Sequence, residues 1–107
     1  SARPGRGAMI TCCIRYTIDP WQLDEFERYA TTWPPIIDRC GGRLVGYYLP
    51  CEGANNVAVA LIDFASLSAY ERYRAALAAD PDARANIAKA AQVQAIRAER
   101  RSFFRRV

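Results

Sequence analysis

Four cysteines stand at positions 12, 13, 40 and 51, and the chain has no histidine. Cys12 and Cys13 are adjacent, so in an extended strand they point to opposite faces. No pair has the Cys-x-x-Cys spacing, and with no imidazole to complete a ligand set no metal site is expected. The same lack leaves nothing to activate a thiol, so nucleophilic catalysis by cysteine is not expected, and a thiol buried among apolar groups is inert. Free, reduced thiols suit a cytoplasmic protein. What remains for chemistry is a set of hydroxyls, an indole, an amide and a few charges. Tyr16, Tyr48 and Tyr73 offer hydroxyls, Trp33 an indole N–H and Asn56 an amide. Arg15 offers a fixed cation, and Glu52 a carboxylate that would become a general base on burial.

These residues must be positioned by strands and helices that the patterning makes visible. Residues 10–18, ITCCIRYTI, alternate, with Ile10, Cys12, Ile14, Tyr16 and Ile18 on one face and Thr11, Cys13, Arg15 and Thr17 on the other. Asp19-Pro20 starts a helix, with Asp19 as N-cap and Gln22 completing a capping box. Leu23, Phe26, Ala30, Trp33 and Ile37 form its buried stripe. Pro34 and Pro35 predict a kink after Trp33, and Gly41-Gly42 a stop after Cys40. Residues 43–50 and 56–64 read as two strands joined by a hairpin loop over Cys51–Asn55. Ser66 caps a second helix, with Leu67, Tyr70, Tyr73 and Leu77 as its apolar stripe. Asp80-Pro81 opens a third over about 81–90. Residues 93–104 fit a last strand, with an extension of the preceding helix to about 95 as the rival.

The order β-α-β-β-α-(α)-β is the α+β, ferredoxin-like split βαβ arrangement, with a four-stranded antiparallel sheet and the helices on one face. At 107 residues there is room for a single domain. Residues 1–8 form a polar, turn-rich run before Met9 and read as an appended or disordered arm, with the domain over 9–107. Without Arg3 and Arg6 the net charge of +4 falls to +2, only mildly basic. The arginine-rich tail, Arg97 to Arg106, reads as solvated or interface charge, and no nucleic-acid partner is expected. No stretch is long and apolar enough to cross a bilayer, and no membrane partner is expected.

An open sheet face bearing Leu, Val and aromatic side chains needs a cover, and a second copy is the simplest. Arg15 would then lie in the dimer interior, needing Asp63, Glu99 or a bound anion as partner. On the other face, strand parity places Leu44, Gly46, Tyr48, Ala58 and Ala60 toward the helices. Gly46, Ala58 and Ala60 are small for a core. Either Trp33 or Tyr70 fills the gap, or a ligand cavity opens there. In the second case the substrate-binding candidates are Tyr16, Trp33, Gly46, Tyr48, Asn56 and Tyr73, each with a plain alternative as core or loop residue.

Three stretches carry a resemblance: "MITCCIRYTIDPWQLDEFERY", "GGRLVGYYLPCEGANNVAVALIDFASLSAYERYR" and "ERRSFFRRV". Together they resemble bacterial NIPSNAP-family proteins over residues 9–107. The resemblance implies a dimeric α/β-barrel, in which two ferredoxin-like units pack sheet to sheet. The wider superfamily includes cofactor-independent monooxygenases, haem-degrading enzymes, decarboxylases, isomerases and ligand-sensing domains, while the small bacterial members have no agreed reaction. Haem ligation by histidine is excluded here, and no cofactor is expected. Two functions fit: a cofactor-independent, monooxygenase-like enzyme acting on a small apolar or aromatic metabolite, or a non-catalytic homodimer that binds, senses or scaffolds. No catalytic residue can be assigned.

Overall fold

The structure, a computed structural model, describes residues 9–107; the arm expected over residues 1–8 lies outside them. The elements are β1 (Ile10–Ile18), a short 3-10 turn (Pro20–Gln22), α1 (Leu23–Cys40), β2 (Arg43–Tyr48), β3 (Val57–Phe64), α2 (Leu67–Ala79), α3 (Pro81–Gln92) and β4 (Ile96–Phe104). The strands form one antiparallel sheet in the order β2-β3-β1-β4. This is the expected ferredoxin-like arrangement, with a four-stranded antiparallel sheet and three helices. No helix of the described residues is long and apolar enough to cross a membrane.

The start signals act as their chemistry requires. The Asp19 carboxylate accepts from the Trp21 N–H at 3.0 Å. It caps the 3-10 turn, however, and no capping box forms, because the Asp19 N–H donates instead to the Ala95 carbonyl at 3.0 Å. That bond ties the end of β1 to the approach of β4. Trp21, on the turn, is 92% exposed. Ser66 Oγ accepts from the Ala69 N–H at 3.0 Å at the head of α2. Asp80 Oδ1 accepts from the Asp82 and Ala83 N–H groups at the head of α3.

Two expectations shift. The prolines do not divide α1, which is one helix through Cys40. Phe26, Tyr29, Trp33, Ile36 and Ile37 anchor both halves in the core, so tertiary burial overrides the two lost ladder bonds. Beyond Cys40, Gly41 takes φ +108, and Gly42 lies so close to Ile37, Ile62 and Phe64 that a Cβ there would sit 2.9 Å from the Ile37 methyl. The last strand begins at Ile96, after a turn in which Gln94 adopts φ +57.

The core lies between the sheet and the helices. Cys12, Ile14, Tyr16 and Ile18 from β1 and Ala58, Ala60, Ile62 and Phe64 from β3 are all buried, as the alternation predicts. Across the helix layer, Arg39 at the end of α1 forks onto Asp80 with two bonds of 2.9 Å and reaches Asp82 with a third. Arg39 and two backbone N–H groups hold the Asp80 carboxyl at about 2, below its ordinary 3.8. A carboxylate with a depressed folded-state pKa stabilises the fold above its unfolded pKa and loses that contribution as pH falls through the folded one. Arg39→Gln should lower the melting temperature at pH 6 and shrink the drop between pH 4 and pH 2. Thermal melts followed by circular dichroism across that range check both.

Candidate functional site

β3 lies between β1 and β2, and its inner face is narrow at Ala58 and Ala60. Tyr16 on β1 pairs with Ala58, and Tyr47 on β2 pairs with Ala60. The two tyrosines lean over the small residues until their hydroxyls meet at 3.1 Å, with rings stacked at 6.1 Å. Phe26 packs edge-on to Tyr16 at 5.0 Å, and Tyr29 lies 6.3 Å from it. Trp33 meets Tyr29 at 5.6 Å with the rings nearly perpendicular. Aromatic rings therefore occupy the space expected under the helices at Ala58 and Ala60.

Tyr48 and Gly46 require a correction. β2 carries an irregularity between Leu44 and Gly46, so Val45 is an extra residue in the ladder. After one inserted residue every following side chain changes face. Gly46 pairs with Leu61 and Tyr48 with Val59, both on the open face, while Tyr47 turns inward. Tyr48 is 50% exposed and folds back over Gly46, where a Cβ would lie 2.8 Å from its hydroxyl. Asn56 is exposed in the β2–β3 connection, and its carbonyl accepts from the Ile18 N–H at 2.9 Å. Glu52 is exposed in the same loop. Of the six candidates, Tyr16 and Trp33 enter one cluster; Tyr73 is buried further along the sheet, 4.7 Å from Phe64.

The cluster is polar at its heart. Burial pushes the Tyr16 hydroxyl well up, and the Tyr47 and Tyr29 hydroxyls add to it. Burial likewise raises Tyr47. Burial raises Tyr29 too, partly offset by the Trp33 indole and the Tyr16 hydroxyl beside it. The buried Trp33 Nε1–H has no formed hydrogen bond within the structure. These phenols are neutral hydrogen-bonding groups near pH 7 and do not act as bases.

β4 supplies the charge. Glu99 pairs in register with Tyr16 and Arg101 with Ile14, so both side chains belong to the helix side of the sheet. They form an ion pair at 3.4 Å, each about one-third exposed. Glu99 therefore does not neutralise Arg15. Arg15 stands on the open face directly opposite Arg100, and Asp63 accepts from Thr11 Oγ1 at 2.6 Å. Between β4 and the helices runs a cleft of about 210 Å³, lined by Tyr29, Ile87, Ala90, Ala91, Ile96 and Glu99. A larger groove, about 340 Å³, lies between α1 and α3, but its arginines are engaged: Arg39 by Asp80 and Asp82, Arg28 by Glu25 and Asn86. The β4 cleft joins an apolar wall to a carboxylate and to the neutral hydroxyl cluster, which makes it the candidate site.

Comparison with known proteins places this arrangement in a family. The NIPSNAP family model matches residues 12–107. The chain belongs to the NIPSNAP family. An uncharacterised NIPSNAP-like domain protein from Burkholderia xenovorans is 26% identical, with a TM-score of 0.78 over 92% of this chain and 85% of that one. A NIPSNAP-family protein of unknown function from Agrobacterium tumefaciens is 22% identical, with a TM-score of 0.81 over 94% and 89%. SnoaB, a cofactor-independent oxygenase from Streptomyces nogalater, shares the fold at 18% identity, with a TM-score of 0.58 over 94% of both chains. No curated protein matches the chain.

Four residues of the site escaped the sequence reading. Tyr29 had a signal, since it lies three residues after Phe26 and four before Trp33 on one helix face. Glu99 and Arg101 had one in the alternation of β4. Tyr47 had none, because the inserted Val45 leaves no mark in the pattern. The hydroxyl cluster has a measurable consequence. A phenol whose pKa rises on folding stabilises the fold below its unfolded pKa and loses that contribution as pH climbs past it. Stability should fall above about pH 10. Tyr47→Phe should flatten that fall and cost about 1 kcal/mol at pH 7 by leaving Tyr16 without its partner, as urea melts at pH 7 and pH 11 will measure.

Proposed function

We propose that this NIPSNAP-family protein is a homodimer that binds a small, largely aromatic metabolite in the β4 cleft and oxidises it without a bound cofactor. The observation that carries this reading is the placement of one carboxylate, Glu99, beside neutral hydrogen-bonding groups in an apolar-walled cleft. Such a site suits a substrate with an acidic C–H next to an aromatic ketone or phenol. Glu99 takes the proton, and the Tyr29 hydroxyl, with the Trp33 indole behind it, holds the enolate oxygen. The electron-rich carbanion then reacts with dioxygen, forming a C–O bond and a hydroperoxide. Loss of the second C–H proton with cleavage of the O–O bond leaves a carbonyl and releases water. Dioxygen is the only oxidant, and the proton taken by Glu99 leaves with that water. The likeness to a cofactor-independent oxygenase, at 18% identity, supports the fold's compatibility with this chemistry and nothing finer.

Testing this needs polyhydroxylated naphthalenes and aryl ketones, with oxygen uptake measured at an electrode and binding by calorimetry. Glu99→Gln should cut turnover at least about 100-fold while binding changes less than about threefold. Binding without oxygen uptake in the native protein would favour a non-catalytic binding or sensing role, which the commitment of Glu99 to Arg101 also suits. No binding by any of the panel defeats the proposal.

The second copy is proposed from the open face. Val57, Val59 and Leu61 lie half-buried there, with Tyr48 and Phe104 at least half bare at its margins. An apolar face of this kind is covered most simply by a two-fold contact with a second copy of itself. Sedimentation at tens of micromolar should report a dimer, and Leu61→Lys should convert it to a monomer with unchanged far-ultraviolet circular dichroism. A native protein that sediments as a monomer refutes the pairing.

A further inference from the structure

Beyond the Glu99 end, the helix side of β4 becomes basic. Phe103, two residues after Arg101, packs against Tyr70 of α2 at 4.8 Å, with the rings close to perpendicular. That contact fixes which part of α2 lies over β4. α2 runs back antiparallel to β3, and β4 is parallel to β3, since both pair antiparallel with β1. One turn onward from Tyr70 along α2 therefore corresponds to two residues backward along β4. The first step reaches Arg74 and the second reaches Arg101, so the two residues stand at the same level of α2 and β4. Their charges converge on the same buried neighbours. Burial raises the Cys12 thiol and the Tyr73 hydroxyl, and Arg101 and Arg74 pull both back down.

The balance of charge here is uneven. Arg101 has one carboxylate partner, Glu99, at a long 3.4 Å through a single guanidinium nitrogen. Arg74 makes no ion pair with another described residue. Two cations thus stand at the level of one anion, Glu99, which itself lines the cleft. A guanidinium presents its donors as a flat fork that fits two oxygens of one anion, and a second cation nearby adds to the attraction. We infer that the ligand of the β4 cleft carries a carboxylate on its aromatic body, with the ring held against Tyr29 and Ile96 and the carboxylate met by Arg101 and Arg74. This rests on the cleft reading above and narrows it from aromatic metabolites in general to aromatic acids. It also separates two tasks: Glu99 and the hydroxyl cluster address the reacting carbon, and the two arginines hold the far end.

Two matched probes test it: 2-naphthylacetate, and 2-naphthylethanol, which has a neutral hydroxyl in place of the carboxylate. Both are titrated by calorimetry at low salt and pH 7. The acid should bind about tenfold more tightly than the alcohol. Arg101→Gln and Arg74→Gln should each reduce that preference to within about threefold and leave alcohol binding unchanged, while Arg72→Gln, an α2 arginine that does not follow Tyr70 by one turn, leaves both intact. The preference should also shrink as salt rises from 20 to 300 mM, because screening shortens to less than about 10 Å. Thermal melts confirm that each variant is folded, and chemical shifts of the Trp33 indole report occupancy of the cleft independently of the heat signal. Equal affinity for the two probes, or a preference that survives both arginine substitutions, overturns the inference and leaves the cleft reading standing. Failure of both probes to bind at millimolar concentration overturns both.

Discussion

The structure depends on two tyrosines reaching toward each other over a strand of small side chains. Tyr16 and Tyr47 come from strands that flank β3, and only the low profile of Ala58 and Ala60 lets their hydroxyls close to 3.1 Å. A larger side chain at either alanine would lift the rings into Phe26 and α1. A polar pair buried this way is tolerable because each hydroxyl has the other as partner, and unpartnered burial of one would cost more than the bond itself returns. The same arrangement sets neutral oxygens behind Tyr29, the one ring of the cluster that lines the β4 cleft.

The charged features of the molecule divide along the sheet. On the helix side of β4, Glu99 and Arg101 lie where α1 and α2 do not fully cover the strand. On the open side, Arg15 and Arg100 stand opposite each other with no carboxylate between them. Like charges in register on one face repel, so a strand pair of this kind is expected where something else meets the charge. On the function proposed above, the two faces of this one short strand address different neighbours: a ligand on one and a second copy of the chain on the other.

Much of this architecture was legible in the sequence because local signals and burial agreed. Alternation in ITCCIRYTI and VAVALIDF gave the correct inner faces of β1 and β3, and Asp19, Ser66 and Asp80 marked turns and helix starts through their side-chain oxygens. Two failures share a different character. Pro34 and Pro35 predicted a kink and a separate second helical piece, but rings buried before them and isoleucines buried after them hold α1 as one helix. The period of two predicted Tyr48 inside, but Val45 is inserted where β2 meets β3, and the register slips by one. Neither outcome is written in the residues concerned, since both are decided by partners distant in sequence. Glu99 and Arg101 were missed for another reason: a basic tail looks like solvated charge until a neighbouring strand assigns its alternate residues to the helix side of the sheet.

The two tryptophans occupy opposite extremes of environment. Trp21 sits on the 3-10 turn almost wholly in water, and Trp33 is enclosed among rings with its indole nitrogen unanswered. Indole emission moves to the blue in apolar surroundings, so the protein carries two intrinsic lamps of different colour. Water-soluble quenchers would extinguish the one on the turn and spare the one inside. Replacing Trp21 by phenylalanine would leave a single optical witness at the core of the hydroxyl cluster, reporting on that interior without any added label.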